Sequence, residues 1–299
     1  MNEFSSGITA SAGLEHITSG PDGNLWFTEA VGNRIARITP SGNVTEFSSG
    51  ITNGSEPYGI AAGPDGNLWF TETSSDQVAR ITTSGVVTEF SKGITPRAYA
   101  EGIVTGPDGN LWFAETQKNK VGRITPSGVV TEFTTGISSA PVDITAGPDG
   151  NLWFTELNAI GRITPSGTVT EFTAGLTLNA NPFYITPGPD GNLWFTEANG
   201  NKIGRVTTSG AIMEFSSGIS PNAGPWAIAA GADDNLWFTE AGGNGSRIGR
   251  ITTGGVITEF SSGITALSAP VGIAAGADGN LWFTEASPFV GNKIGRVIP

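Results

Sequence analysis

The sequence predicts an all-β protein, a seven-bladed β-propeller built from four-stranded antiparallel blades. Three observations predict it. The motif GPDGNLWFTE begins at Gly20, and close copies begin at Gly63, Gly106, Gly147, Gly188, Gly231 and Gly276. The motif tryptophans (Trp26, Trp69, Trp112, Trp153, Trp194, Trp237 and Trp282) are spaced by 43, 43, 41, 41, 43 and 45 residues, a period that holds four short strands. Finally, 44 glycines and 18 prolines cut the chain into many turns, and no segment sustains a helical period.

One unit, Tyr58 to Phe90, shows the elements in order. Ile60-Ala61-Ala62 is a short first strand, and Gly63-Pro64-Asp65-Gly66 is a tight turn in which glycine supplies the positive φ. Asn67 to Glu72 is a second strand, apolar nearly throughout, as expected where both faces of a blade are packed. Gln77 to Thr82 is a third strand, Thr83-Ser84-Gly85 a turn, and Val86 to Phe90 a fourth strand. The chain ends on a third strand, Ile294-Gly295-Arg296-Val297, whereas Glu3-Phe4-Ser5-Ser6-Gly7-Ile8-Thr9 matches the fourth-strand segment Glu46 to Thr52. Residues 2–5 are therefore expected to complete the last blade and remove an open sheet edge. The 299 residues read as one domain, 1–299.

Composition limits the partners. The formal net charge is −12 and the sequence pI about 4.5, so neither nucleic acid nor an anionic membrane is an expected partner, since both call for a basic patch. Cysteine is absent, which removes disulfides and thiolate metal sites. The opening Met1-Asn2-Glu3-Phe4 has no apolar leader and no run is long enough to span a bilayer, so a soluble chain is expected and its compartment stays open. A monomer is the expected state.

Most of the charge reads as framework. Each repeat has an arginine in its third strand and a glutamate in its fourth: Arg37/Glu46, Arg80/Glu89, Arg123/Glu132, Arg162/Glu171, Arg205/Glu214, Arg250/Glu259 and, across the closure, Arg296/Glu3. These are expected to face each other across strands. The aspartates Asp22, Asp65, Asp108, Asp149, Asp190, Asp233 and Asp278 are expected as turn residues. The glutamates ending the second strands, Glu29, Glu72, Glu115, Glu156, Glu197, Glu240 and Glu285, admit two readings. They could ring the mouth and gather cations, or pair locally with Arg34, Lys120, Lys202, Arg247 and Lys293. Local pairing is the simpler reading, and it leaves out Glu72 and Glu156, which face Gln77 and Ala159.

The repeats differ most in two places: the loop after the WFTE glutamate, and the link from each fourth strand to the next first strand. In a propeller these emerge on one face, and variation gathered on one face marks a binding surface. The residues just before the first-strand isoleucines form an acidic arc (Glu15, Glu101, Asp143) and an aromatic arc (Phe183, Tyr184, Trp226), with Tyr58 beside them. An apolar wall with a few convergent polar groups suits a small-molecule or peptide ligand. The lone histidine, His16, reads as a solvated loop residue.

The units PYGIAAGPDGNLWFTE (57–72) and GNKIGRVTTSGAIMEF (200–215) resemble the streptogramin B, or virginiamycin B, lyases over essentially the whole chain. That resemblance implies opening of a cyclic depsipeptide at its ester by β-elimination, with a histidine base and a carboxylate-held Mg²⁺. The position matching the family's base is Val271, and the positions matching its metal carboxylates are Ala269 and Ala286, with Glu285 next to the latter. Trp226 stands where the family has another histidine. Valine takes no proton and alanine ligates nothing. The sequence contains no Ser-His-Asp set, phosphate loop or clustered histidine motif to supply other chemistry. Two functions are therefore expected to compete. One is a lyase-like propeller without lyase activity or cofactor, binding through its variable face. The other is a Mg²⁺-dependent carbon–oxygen lyase with a site displaced to His16 and Glu15, its metal on Glu29 and Glu285.

Overall fold

The computed structural model describes residues 1–242, 246–287 and 289–299. Seven four-stranded antiparallel sheets follow one another, each in simple sequence order except the last, where Asn2–Phe4 supplies the fourth strand. It pairs with Lys293–Val297 in the register Asn2↔Arg296, Glu3↔Gly295, Phe4↔Ile294. The ring closes as the terminal motifs predict. In the second blade the strands are Pro57–Ala62, Leu68–Glu72, Gln77–Ile81 and Val87–Phe90. The first strand starts before the predicted isoleucine and carries a bulge, because Pro57 faces Glu72 while Ile60 faces Phe70. One extra residue bends the strand there, and all seven first strands share this shift. A 3-10 turn at Thr116–Lys118 is the one helical element among the described residues.

The second strands are buried along their full length in every blade, since each is sandwiched by neighbouring blades on both faces. Trp26 of the first blade, for example, shares a core with Leu68, Phe70 and Ile81 of the second. Its indole Nε1 donates to Asp22 Oδ1 at 3.0 Å, and the same bond recurs from Trp69 to Asp65 through Trp282 to Asp278. The turn aspartates thus hold the turn and also satisfy an otherwise orphaned buried N–H.

The expected third-to-fourth-strand arginine–glutamate pairs do not form. Glu46 lies opposite Ala36, and Arg37 opposite Thr45, so the two charges project from opposite faces of the pleat. Arg37 instead lies over Trp26 and Phe47, with Cζ 5.5 and 5.8 Å from the ring centroids. It reaches Asp22 Oδ2 at 3.4 Å and donates to the Thr83 carbonyl of the next blade at 3.1 Å. Across the closure, Arg296 donates to Pro40 O at 3.0 Å, and Glu3 is met by Lys293 at 2.6 Å. The arginines are ties between blades rather than cross-strand partners.

A second tie runs through the threonine of the WFTE motif. Thr71 Oγ1 accepts from Gly59 N at 2.9 Å, and donates to Glu101 O of the next blade at 2.7 Å. A Cβ on Gly59 would sit 2.3 Å from that carbonyl, so here the missing side chain allows a close approach of the two blades. The third blade has Ala114 in place of the threonine, fully buried and without a hydroxyl. Ala114→Thr is expected to restore this relay between Gly102 and Val142 and to stabilise the ring by about 0.5–1.5 kcal/mol. An unchanged or lowered urea midpoint would count against it.

Candidate functional site

The bulges set the site. The residues preceding each first-strand isoleucine lie within them, and a cavity of about 190 Å³ is lined by first strands of all seven blades. His16, Asp143 and Tyr184 face this channel. His16 is not a solvated loop residue. Its Nε2 hydrogen-bonds the Tyr184 hydroxyl across the ring, and its ring packs on Tyr58 and Tyr184, with centroids 4.7 and 4.9 Å away. The channel walls close around the imidazole, and this desolvation holds its pKa down to about 3. It is neutral at physiological pH and a weak base.

From Tyr184 the aromatic run continues to Phe183 at 5.2 Å and from Phe183 to Trp226 at 4.3 Å. The expected aromatic arc is therefore continuous, and it extends across the mouth to His16 and Tyr58. The Trp226 Nε1–H is buried and meets no acceptor among the described residues. Asp143 bridges two blades by accepting from Ile185 N at 3.0 Å. Gly102 makes room for it, since a Cβ there would lie 2.4 Å from Asp143 Oδ1. Burial raises the Asp143 carboxyl to about 7, outweighing the Ile185 and Ile144 amides.

The acidic arc is split. Glu15 and Glu101 do not share the channel with Asp143; they line a separate cleft of about 370 Å³ together with Tyr58. Ala30, Val31, Glu56, Thr73 and Tyr99 complete that cleft, so both variable connections contribute to one face, as expected. Tyr99 and Glu56 were not anticipated from the residues beside the isoleucines; their only signal was membership of the variable links. Burial pushes Glu15 and Glu101 each up to about 7. Among the described residues neither forms an ion pair, nor does Asp143. A cavity of about 520 Å³ at the junction of the last two blades, beside Met1, Trp237, Phe260 and Arg296, contains none of these residues.

The displaced site does not assemble. His16 faces the channel and Glu15 the cleft. Glu29 and Glu285 are fully buried at the ends of their own second strands, and none of their carboxylate oxygens meets a hydrogen-bond donor. The seven second-strand glutamates are thus sealed within the blades and form no open ring at the mouth. Desolvation, with repulsion from the fourth-strand glutamate, raises Glu29, Glu72, Glu115, Glu197 and Glu240 to about 8. The expected local pairing is also corrected. Lys120, Lys202 and Lys293 bond Glu132, Glu214 and Glu3 of the fourth strand, and only Arg34 and Arg247 approach the second-strand carboxylates, at 3.8 and 4.0 Å.

The sequence profile of the virginiamycin B lyase family matches residues 2–177 and 158–299. The chain belongs to the virginiamycin B lyase family. Among solved structures it is similar to selenomethionine-substituted virginiamycin B lyase from Staphylococcus aureus, 40% identical over 96% of this chain and 95% of that one, with a TM-score of 0.87. A streptogramin B lyase structure is 37% identical over 99% and 97% of the two chains, with a TM-score of 0.89. A catalytically inactive histidine-to-alanine variant of the S. aureus virginiamycin B lyase, with quinupristin, is 40% identical over 99% and 97%, with a TM-score of 0.89. No curated protein matches the chain.

The family implies Mg²⁺, and the residues at the matching positions do not fit it. Ala269 and Ala286 contribute no side-chain ligand and are joined only through the bond from Ala286 N to Ala269 O, 3.0 Å. Val271 is buried, its carbonyl accepting from Thr239 Oγ1 at 2.7 Å. The indole of Trp226 donates but cannot ligate. Among the described residues no three histidine, aspartate or glutamate side chains converge.

Proposed function

We propose that this virginiamycin B lyase family propeller has kept the family's frame without its lyase chemistry, and that it binds a small molecule or peptide at its mouth. The observation that carries the reading is Val271, an aliphatic side chain at the position that matches the family's base. Ala269, Ala286 and Trp226 support it at the other matching positions. His16 does not make up the loss, because its Nε2 is engaged by Tyr184 and its basicity is depressed. An efficient general base has a pKa near the working pH.

The mouth favours a neutral or cationic ligand with aromatic or apolar parts. Tyr58, Phe183 and Trp226 offer flat apolar surface, while Glu15, Glu101 and Asp143 bring only negative or neutral oxygen. The test is a chromatographic assay of quinupristin with the protein, with and without Mg²⁺; chromatography is required because elimination within a ring leaves the mass unchanged. No ring opening at high protein concentration is expected. Mg²⁺-dependent opening would overturn the proposal, and its loss in His16→Ala would establish the displaced lyase.

A further inference from the structure

Near the outer end of every second strand, two carboxylates approach each other: the buried second-strand glutamate and the fourth-strand glutamate of the same blade. In six blades a nitrogen donor answers them. Lys120 Nζ sits 2.5 Å from Glu132 Oε2 and 2.6 Å from Thr95 Oγ1. Lys293 repeats this with Glu3 and Thr265, and Lys202 with Glu214 and Thr177. Arg34 lies 3.8 Å from Glu29 and 3.5 Å from Glu46, and Arg247 stands 4.0 Å from Glu240 and 3.7 Å from Glu259. In the second blade the Gln77 amide, oriented to donate, reaches Glu72 at 2.8 Å and Glu89 at 3.2 Å.

The fourth blade is different. Its second and third strands are joined by Leu157 and Asn158 alone, and Glu156 faces Ala159 in the register where Glu115 faces Lys120. A methyl group stands where the other blades bring nitrogen. Glu156 is fully buried. Its Oε2 accepts from Ser139 N at 3.0 Å and Ser139 Oγ at 2.8 Å, with Ser138 Oγ at 3.5 Å. Its Oε1 meets no donor. Glu171 accepts from Ser138 N at 2.6 Å, and the Ser138 hydroxyl turns toward Glu156, whereas the matching Thr95 hydroxyl bonds its own fourth-strand glutamate at 2.8 Å.

We infer that the fourth blade binds a Ca²⁺ ion between Glu156 and Glu171, in the place that a lysine or arginine side chain takes in its sister blades. Two carboxylates balance a divalent charge. The available donors are all oxygen (the two glutamates, the Ser138 and Ser139 hydroxyls, and water from the solvent side), which selects a hard cation over zinc or copper. Calcium accepts such an irregular set, whereas magnesium demands near-ideal octahedral geometry. None of Ser138, Ser139, Glu156 and Glu171 lines the channel or the mouth cleft, and calorimetric binding of Ca²⁺ is read out separately from any activity or ligand at the mouth.

Calorimetric titration of EDTA-stripped protein with CaCl2, with a parallel thermal melt, tests the site. One ion per chain and a raised melting temperature are expected. Ala159→Lys supplies the missing ammonium, so it should weaken Ca²⁺ binding at least about tenfold and raise the melting temperature in EDTA. Glu171→Gln, checked for folding by circular dichroism, should lose binding without that rise. No heat and no thermal shift in the unaltered protein at about 10 mM CaCl2 would overturn the site, as would full affinity in either folded variant.

Discussion

Deletion of residues 1–7 is expected to convert a well-behaved propeller into an unstable, aggregating one. The segment supplies the fourth strand of the last blade, so its loss bares the backbone of Lys293–Val297 as a sheet edge, a template for pairing with other chains. Phe4 also goes. Its ring stacks on Trp282 at 5.5 Å, shares the Arg296 guanidinium with that indole at 5.5 and 5.2 Å, and would clash with any Cβ at Gly42, at 2.4 Å. Glu3 goes too, and with it the bonds to Thr265 N at 2.5 Å and Lys293 Nζ at 2.6 Å. Truncating a fully buried phenylalanine typically costs about 3–5 kcal/mol. Phe4 is partly buried, but its loss adds to that of the strand and the Glu3 bonds, against the roughly 5–15 kcal/mol that most domains have in all. Light scattering and urea denaturation are the measurements. A monodisperse truncated protein with an unchanged midpoint would contradict the closure argument.

The second large effect is a loss of stability as pH rises from about 5 to 9, measured in EDTA. The seven second-strand glutamates are raised by burial to about 7 or 8, against about 4.3 in an unfolded chain. The folded state holds these protons more tightly, so unfolding releases them, and stability falls with pH between the unfolded and folded values. Other groups act in the opposite sense at the acid end. Despite burial, Lys293, Lys120 and Lys202 hold Glu3, Glu132 and Glu214 below the ordinary range. The turn aspartates are held down by the indole and asparagine donors, as at Asp22. That contribution is present above about pH 4 and lost below it, so the optimum falls near pH 5. Glu197→Gln removes one buried acid whose oxygens both lack donors. It should melt above the unaltered protein at pH 9, by roughly 1–3 kcal/mol, and match it near pH 5. An equal deficit at both pH values would show that the carboxylate does structural work instead.

Much of the site was legible in the repeats. The variable links do gather on one face, and Tyr58, Phe183, Tyr184 and Trp226 lie together there with His16. The pairing of charges was not legible, because it depends on which face of a pleat each side chain takes. Arg37 and Glu46 look well placed for a hairpin, yet a register in which Glu46 meets Ala36 puts them on opposite sides. Similarly, Glu15 and His16 are neighbours in the chain, but the bulge between Leu14 and Ile17 accompanies their separation into different cavities.

What the sequence by itself determined is the periodic part: blade number, turn chemistry, the buried second strands and the closing N-terminal strand. Each follows from a pattern within one repeat of about 43 residues, copied seven times, so local propensity and burial agree in every copy. Only the tertiary structure decided the contacts that break the repeat. The His16–Tyr184 bond joins residues 168 positions apart across the ring, and the vacant nitrogen position beside Glu156 becomes visible only when seven blades are laid on one another. Such contacts depend on which residue a single blade carries at a position that all blades share. His16 and Tyr184 stand where the second, third, sixth and seventh blades have glycine or alanine, and Ala159 where the others have lysine, arginine or glutamine. The register and hydrophobic pattern therefore stay unchanged while the partner across space differs.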